Sequence, residues 1–113
     1  MHEMSLMESV LEIVEEEARK AGATKVKAVR LDIGELSSVE PDAMRFCFEA
    51  VVAGTVAAEA VLEIVRVPGA GWCIDCSQTV ALSERFGACP LCGGHRVQMT
   101  AGDDMRVAEL EVE

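Results

Sequence analysis

The chain has 113 residues, half of them apolar, and a formal net charge of −10. That length suits one ordinary domain, or a small one carrying an insert. The negative charge argues against a nucleic-acid backbone as partner, and no apolar run approaches the ~18 residues of a membrane span.

In chain order, Ser5 reads as a helix N-cap and Glu8 completes a capping-box pattern. Met7, Leu11, Val14, Ala18 and Ala21 then recur at spacings of 4, 3, 4 and 3, with Val10 beside them. This is the apolar face of a first helix, which Gly22 ends. Glu8, Glu12, Glu15, Glu16 and Arg19 cover the other face, with Glu15–Arg19 and Glu16–Lys20 as i,i+4 pairs. Val29, Leu31 and Ile33 alternate with Arg30 and Asp32, which predicts a strand ending at Gly34. Glu35–Glu40 is a loop. Pro41 opens a second helix whose stripe is Met44, Phe48, Val51 and Val52, with Phe46 and Cys47 also apolar, and Gly54 closes it. Val61–Val67 is a second strand. Pro68-Gly69-Ala70-Gly71 reads as a breaker cluster and hinge. Met105–Val112 is a third strand.

Between the last two strands lies WCIDCSQTVALSERFGACPLCGG, Trp72 to Gly94. It holds two Cys-x-x-Cys pairs, Cys73/Cys76 and Cys89/Cys92, twelve residues apart. Two residues between thiols let one tight turn aim both sulfurs at the same ion, and two such turns supply the four thiolates of a closed zinc site. Pro90 fixes φ inside the second turn and Gly93 permits the left-handed backbone after it. Four filled ligand places leave none open for substrate, so the zinc is structural. The bland alternative is four unrelated thiols or two disulfides. The insert is too short to bury a core, so metal replaces one.

The fold class is therefore α+β: two helices on a three-stranded mixed sheet, with an inserted four-cysteine, zinc-ribbon-like module. Residues 1–67 and 100–113 form the α/β domain and residues 68–99 the zinc-binding domain. No signal peptide is read at the amino end, and paired thiols then indicate a reducing compartment, the cytoplasm. No catalytic acid–base pair is visible. Cys47 reads as core, and His95 as a surface residue.

The amino end carries a second chemistry. A free α-amine, the backbone nitrogen and imidazole of His2, and the backbone nitrogen of Glu3 can close chelate rings in one plane, which suits Ni(II) or Cu(II). Bulky His2 disfavours trimming of Met1. Taken alone, a histidine at position 2 is most simply a solvated side chain.

MHEMSLMESVLEIVEEEA, LDIGELSSVEPDAMRFCFE, the paired Cys motifs and the closing strand together resemble the HypA/HybF family of hydrogenase-maturation nickel chaperones. The resemblance covers essentially the whole chain. It implies no enzymatic activity, and nickel held by the Met1 amine, the His2 backbone and imidazole, and the Glu3 backbone. In some members an acidic residue after the glycine turn lies near that site, and Glu40 occupies the matching place in this chain. The implied partners are a nickel-handling GTPase and the large subunit of a [NiFe] hydrogenase, with a urease system served by some members. It leaves monomer or homodimer open. One departure stands out: some members carry a histidine beside each Cys pair, where this chain has Ser77-Gln78 and Gly93-Gly94, so coordination by the four cysteines alone is expected. Two other functions compete. A zinc ribbon can bind nucleic acid, although only Arg85 and Arg96 supply fixed positive charge between Trp72 and Met99. A Cys pair can also serve thiol redox chemistry.

Overall fold

The computed structural model describes residues 2–113, and the elements run α1 (His2–Lys20), β1 (Val26–Gly34), α2 (Pro41–Val52), β2 (Val61–Val67), β3 (Gly69–Cys73), β4 (Gln78–Leu82), β5 (Val97–Ala101) and β6 (Met105–Val112). They form two three-stranded sheets, ordered β2-β1-β6 and β4-β3-β5. The chain separates into two compact units: residues 1–32, 39–65 and 106–113 in one, and 33–38 with 66–105 in the other.

In the first unit both helices pack beside each other and supply buried faces. Met7, Val10, Val14 and Ala18 come from α1, and Met44, Cys47, Phe48 and Val52 from α2. Val26, Val29 and Leu31 of the central strand β1 are buried in the same unit. The Cys47 thiol is thus a core group, as its apolar surroundings predict. The sheet is mixed. Glu113 N–H donates to the Lys25 carbonyl at 2.8 Å and Thr24 N–H to the Glu113 carbonyl at 3.1 Å, so the end of β6 meets the start of β1, an antiparallel pair. Strands β1 and β2 enclose α2 in a strand–helix–strand crossover, the connection that parallel neighbours require.

Two expectations for this unit need correction. Helix α1 begins at His2 rather than after a Ser5 cap. The cause is that the apolar stripe continues backward through half-buried Met4, and Glu3 places an acid at the positive end of the helix dipole. The intrahelical ion pairs are Glu16–Arg19 and Glu17–Lys20, at i,i+3. Phe46, apolar but outside the α2 stripe, is 71% exposed, one step off the buried face. At the C-terminal end of α1, Ala23 N–H returns to the Ala18 carbonyl and Gly22 N–H to that of Arg19, the paired closure of a Schellman stop. Asp32 is buried at 7% exposure, where Arg30 and Arg106 both reach its carboxylate, at 3.1 and 3.4 Å.

In the second unit β3 is central and antiparallel to both neighbours. The Gly69-Ala70-Gly71 run, expected as a breaker, is therefore strand. Its glycines serve close approach: a Cβ at Gly69 would lie 2.4 Å from the Leu82 carbonyl oxygen, and one at Gly71 2.6 Å from a Val97 methyl. Residues 33–38 belong to this unit. Glu35 N–H donates to the Val67 carbonyl at 2.8 Å and Leu36 N–H to that of Gly102 at 2.7 Å. The Arg85 guanidinium donates to the Leu36 carbonyl at 2.8 Å.

Candidate metal centre

The four paired cysteines come from two turns of like build. In the first, β3 ends on Cys73 and β4 starts at Gln78. Ser77 N–H donates to the Cys73 carbonyl at 2.8 Å, and Cys76 N–H points at the Cys73 sulfur at 3.4 Å. In the second, Gly93 N–H donates to the Cys89 carbonyl at 2.8 Å, and Leu91 N–H points at the Cys89 sulfur at 3.4 Å. Each turn needs a left-handed residue directly after its second cysteine. Gly93 takes it at φ 74°, whereas Ser77 takes it at φ 52° with a side chain present. The sequence signals only the first of these, because nothing marks Ser77 as unusual.

All four sulfurs lie within 4.8 Å of one another. Cys73–Cys92 and Cys76–Cys89 approach to 3.8 Å across the two turns. A tetrahedral ion with Zn–S bonds of about 2.3 Å requires sulfur separations of about 3.8 Å. The donor set therefore fits Zn²⁺, and the five cysteines are free thiols. Among the described residues these four are the one cluster of three or more metal-binding side chains. Neighbouring sulfurs also tune one another. Hydrogen bonding, chiefly with Cys92, pushes the Cys76 thiol up to about 12. Backbone N–H groups, that of Cys92 foremost, pull the Cys89 thiol down to about 7. Asp75, inside the first turn, pairs with Arg96 at 2.9 Å, and Ile74 N–H donates to the Arg96 carbonyl. That clip joins the two sides of the cluster, and no sequence pattern announces it. His95 is exposed and stands outside the cluster.

Of the expected nickel donors, Met1 lies outside the described residues. His2 is exposed and Glu3 half-buried, both in the first turn of α1. The N–H groups of a helix's first turn have no intrahelical acceptor, so these amides are not committed to the helix ladder. Glu40 is the N-cap of α2: it is exposed, and its carboxylate accepts from Asp42 N–H at 3.4 Å.

A family model described as hydrogenase/urease nickel incorporation, metallochaperone, hypA, matches residues 1–112. The chain belongs to the HypA family. The hydrogenase maturation factor HypA of Rhizobium leguminosarum bv. viciae is 68% identical over 112 residues, covering 99% of both chains. That of Dechloromonas aromatica is 59% identical over the full length of both. Among solved structures, the Ni metallochaperone HypA from Helicobacter pylori superposes with a TM-score of 0.73 at 32% identity, covering 99% of this chain and 97% of that one. HypA proteins are metallochaperones, carriers rather than catalysts.

Proposed function

We propose that this chain carries Ni(II) at its amino terminus and passes it, with a nickel-handling GTPase, to the large subunit of a [NiFe] hydrogenase in the cytoplasm. Nickel is held by the Met1 amine, the His2 backbone nitrogen and imidazole, and the Glu3 backbone nitrogen. Glu40 is a further candidate carboxylate. The α/β part carries nickel, and the part bearing Cys73, Cys76, Cys89 and Cys92 holds one structural Zn²⁺. The observation that carries this reading is the match of residues 1–112 to a nickel-incorporation family. It is supported by the position of His2 and Glu3 at the start of α1, where amide nitrogens lack helix acceptors. The outer face of α1 is acidic, with Glu8, Glu12, Glu16 and Glu17 exposed, which suits a basic face on the GTPase. Charge reversal at Glu3 and Glu8 then weakens that complex, and a complex weakened only by changes around the cysteines refutes this docking face.

The test of the nickel site is Ni(II) titration of three untagged proteins, followed by absorbance of the square-planar species. His2→Ala removes one donor and abolishes tight binding without touching zinc. One residue added before Met1 moves the amine out of its chelate ring and does the same, although every side chain remains. An extended protein that binds nickel with unchanged affinity and spectrum places the site elsewhere.

A further inference from the structure

The four cysteines of the cluster are unequally sheltered. Cys73 and Cys89 are buried at 0% and 2% exposure, Cys76 is half-buried, and Cys92 is exposed. Gly94, two residues on, borders the Cys92 sulfur. A Cβ at Gly94 would stand 3.5 Å from the Cys92 sulfur, so the glycine leaves that side of the sulfur without a covering side chain. The partner sulfur of Cys92 across the two turns is that of buried Cys73, at 3.8 Å. The other pair, Cys76–Cys89, is equally close, but its members are half-buried and buried.

We propose that Cys92 is a covalent modification site: a neutral hydroperoxide oxidises its sulfur, Cys73 resolves it as a Cys73–Cys92 disulfide, and the bound metal leaves. This rests on reading the cluster as a zinc site. The Cys92 thiolate attacks one peroxide oxygen, so an S–O bond forms, the O–O bond breaks and hydroxide departs. Cys92 becomes a sulfenic acid, oxidised by two electrons, while the peroxide is reduced. The Cys73 thiolate then attacks that sulfur, the S–S bond forms and a second hydroxide departs. In sum, two thiolates, one hydrogen peroxide and two protons give one disulfide and two waters. Zinc keeps only Cys76 and Cys89, half of the four ligands a closed site needs. The oxidant is a neutral one because the surroundings are anionic. Four thiolates outweigh a divalent ion, and the Asp75 carboxylate flanks the same opening, 3.5 Å from the Gly94 Cβ position.

The experiment uses the full chain purified with its metal, assayed first for zinc per chain. Hydrogen peroxide is added, zinc release is followed with a chromogenic chelator, and thiols are trapped at intervals for peptide mass spectrometry. Sulfenic acid trapped with dimedone should appear first on Cys92, and zinc release should keep pace with the Cys73–Cys92 disulfide. Gly94→Ala retains all four ligands, and its Cβ meets only ordinary contacts at 3.5 Å. It should slow both steps several-fold at unchanged zinc content. First trapping on Cys76, a Cys76–Cys89 disulfide preceding the other, or an unchanged rate in Gly94→Ala overturns the proposal. A purified chain without zinc overturns the zinc reading instead, and the order of trapping on its thiols still decides whether Cys92 is the reactive one.

Discussion

Replacing Gly34 by alanine tests why the Ile33-Gly34-Glu35 turn carries a glycine. An added Cβ would lie 2.1 Å from the Gly102 carbonyl oxygen, 2.3 Å from its carbon and 2.9 Å from Asp103 nitrogen. All three are backbone atoms, so no rotamer change relieves the overlap. Optimal heavy-atom contacts lie near 3.5–4.0 Å, so the end of β1 must retreat from residues 102–104 by roughly 1 Å or more. That motion breaks the bonds from Gly34 N–H to the Asp104 carbonyl, 2.8 Å, and from Leu36 N–H to the Gly102 carbonyl, 2.7 Å. Two hydrogen bonds at about 1 kcal/mol each, plus about 1–3 kcal/mol for overpacking, give a loss of about 3–5 kcal/mol. Such a loss is a large part of the roughly 5–15 kcal/mol that holds a domain folded. The assay is urea unfolding of the metal-loaded protein. Fluorescence of Trp72, the sole tryptophan, reads the unit that contains β3. A loss below about 1 kcal/mol, within the range of ordinary point substitutions, refutes the argument from close approach.

Five further outcomes rest on the same geometry. Cys73→Ser unfolds the cysteine-bearing unit by near-ultraviolet circular dichroism, because no water can reach its buried place, whereas Cys92→Ser keeps a weaker zinc site that solvent completes. In chelator-stripped protein Cys76 holds its proton up to about 12, so zinc entry near neutral pH must displace it. Competition with a chelator should then show affinity falling as pH falls, by about tenfold per unit for each proton displaced. Cys89 works the other way on the stripped protein: its lowered value adds stability above the unfolded thiol's range, and that is lost as pH falls through about 7. A planar nickel chelate needs His2 and Glu3 to leave helical geometry, which returns the start of α1 to Ser5 and lets Ser5 and Glu8 cap it. Ser5→Ala should therefore weaken nickel binding about fivefold, from about 1 kcal/mol of lost capping, with zinc unaffected. Cys47→Ser places a hydroxyl in the helix–sheet core and should cost about 1–3 kcal/mol, measured by urea unfolding, while native Cys47 resists alkylation.

Periodicity makes both helices and the strands β1, β2 and β6 legible, because each turns one apolar face to a core. The four-sulfur cluster is legible too, since two-residue spacing is itself a statement about turn geometry. Strand β3 is not. Local rules score Gly69-Ala70-Gly71 as a breaker, while the demand that placed those glycines comes from Leu82 and Val97, remote in sequence. The Arg85 bond to the Leu36 carbonyl spans 49 positions and leaves no local trace. The capping box at Ser5 is a sound local signal, yet α1 continues back past it through half-buried Met4. The expected nickel donors are mostly backbone nitrogens, which have no residue type to betray them, so His2 alone is a weak sign of the chelate and resemblance to a family gives it weight.

The entry and exit of the cysteine-bearing unit touch. A Cβ at Gly102 would lie 2.6 Å from Gly69 Cα and 2.7 Å from the Pro68 carbonyl oxygen. The α/β unit is discontinuous, because β6 is made only after residues 66–105. While those residues are unfolded, bringing β6 to β1 closes a floppy loop of about 40 residues. Once they are folded, the same closure spans a link equivalent to about 4 residues. The difference in closure entropy is about 2 kcal/mol. Metal acquired in the insert therefore strengthens the α/β sheet through the chain alone, and a nascent protein starved of that metal docks its last strand at a disadvantage.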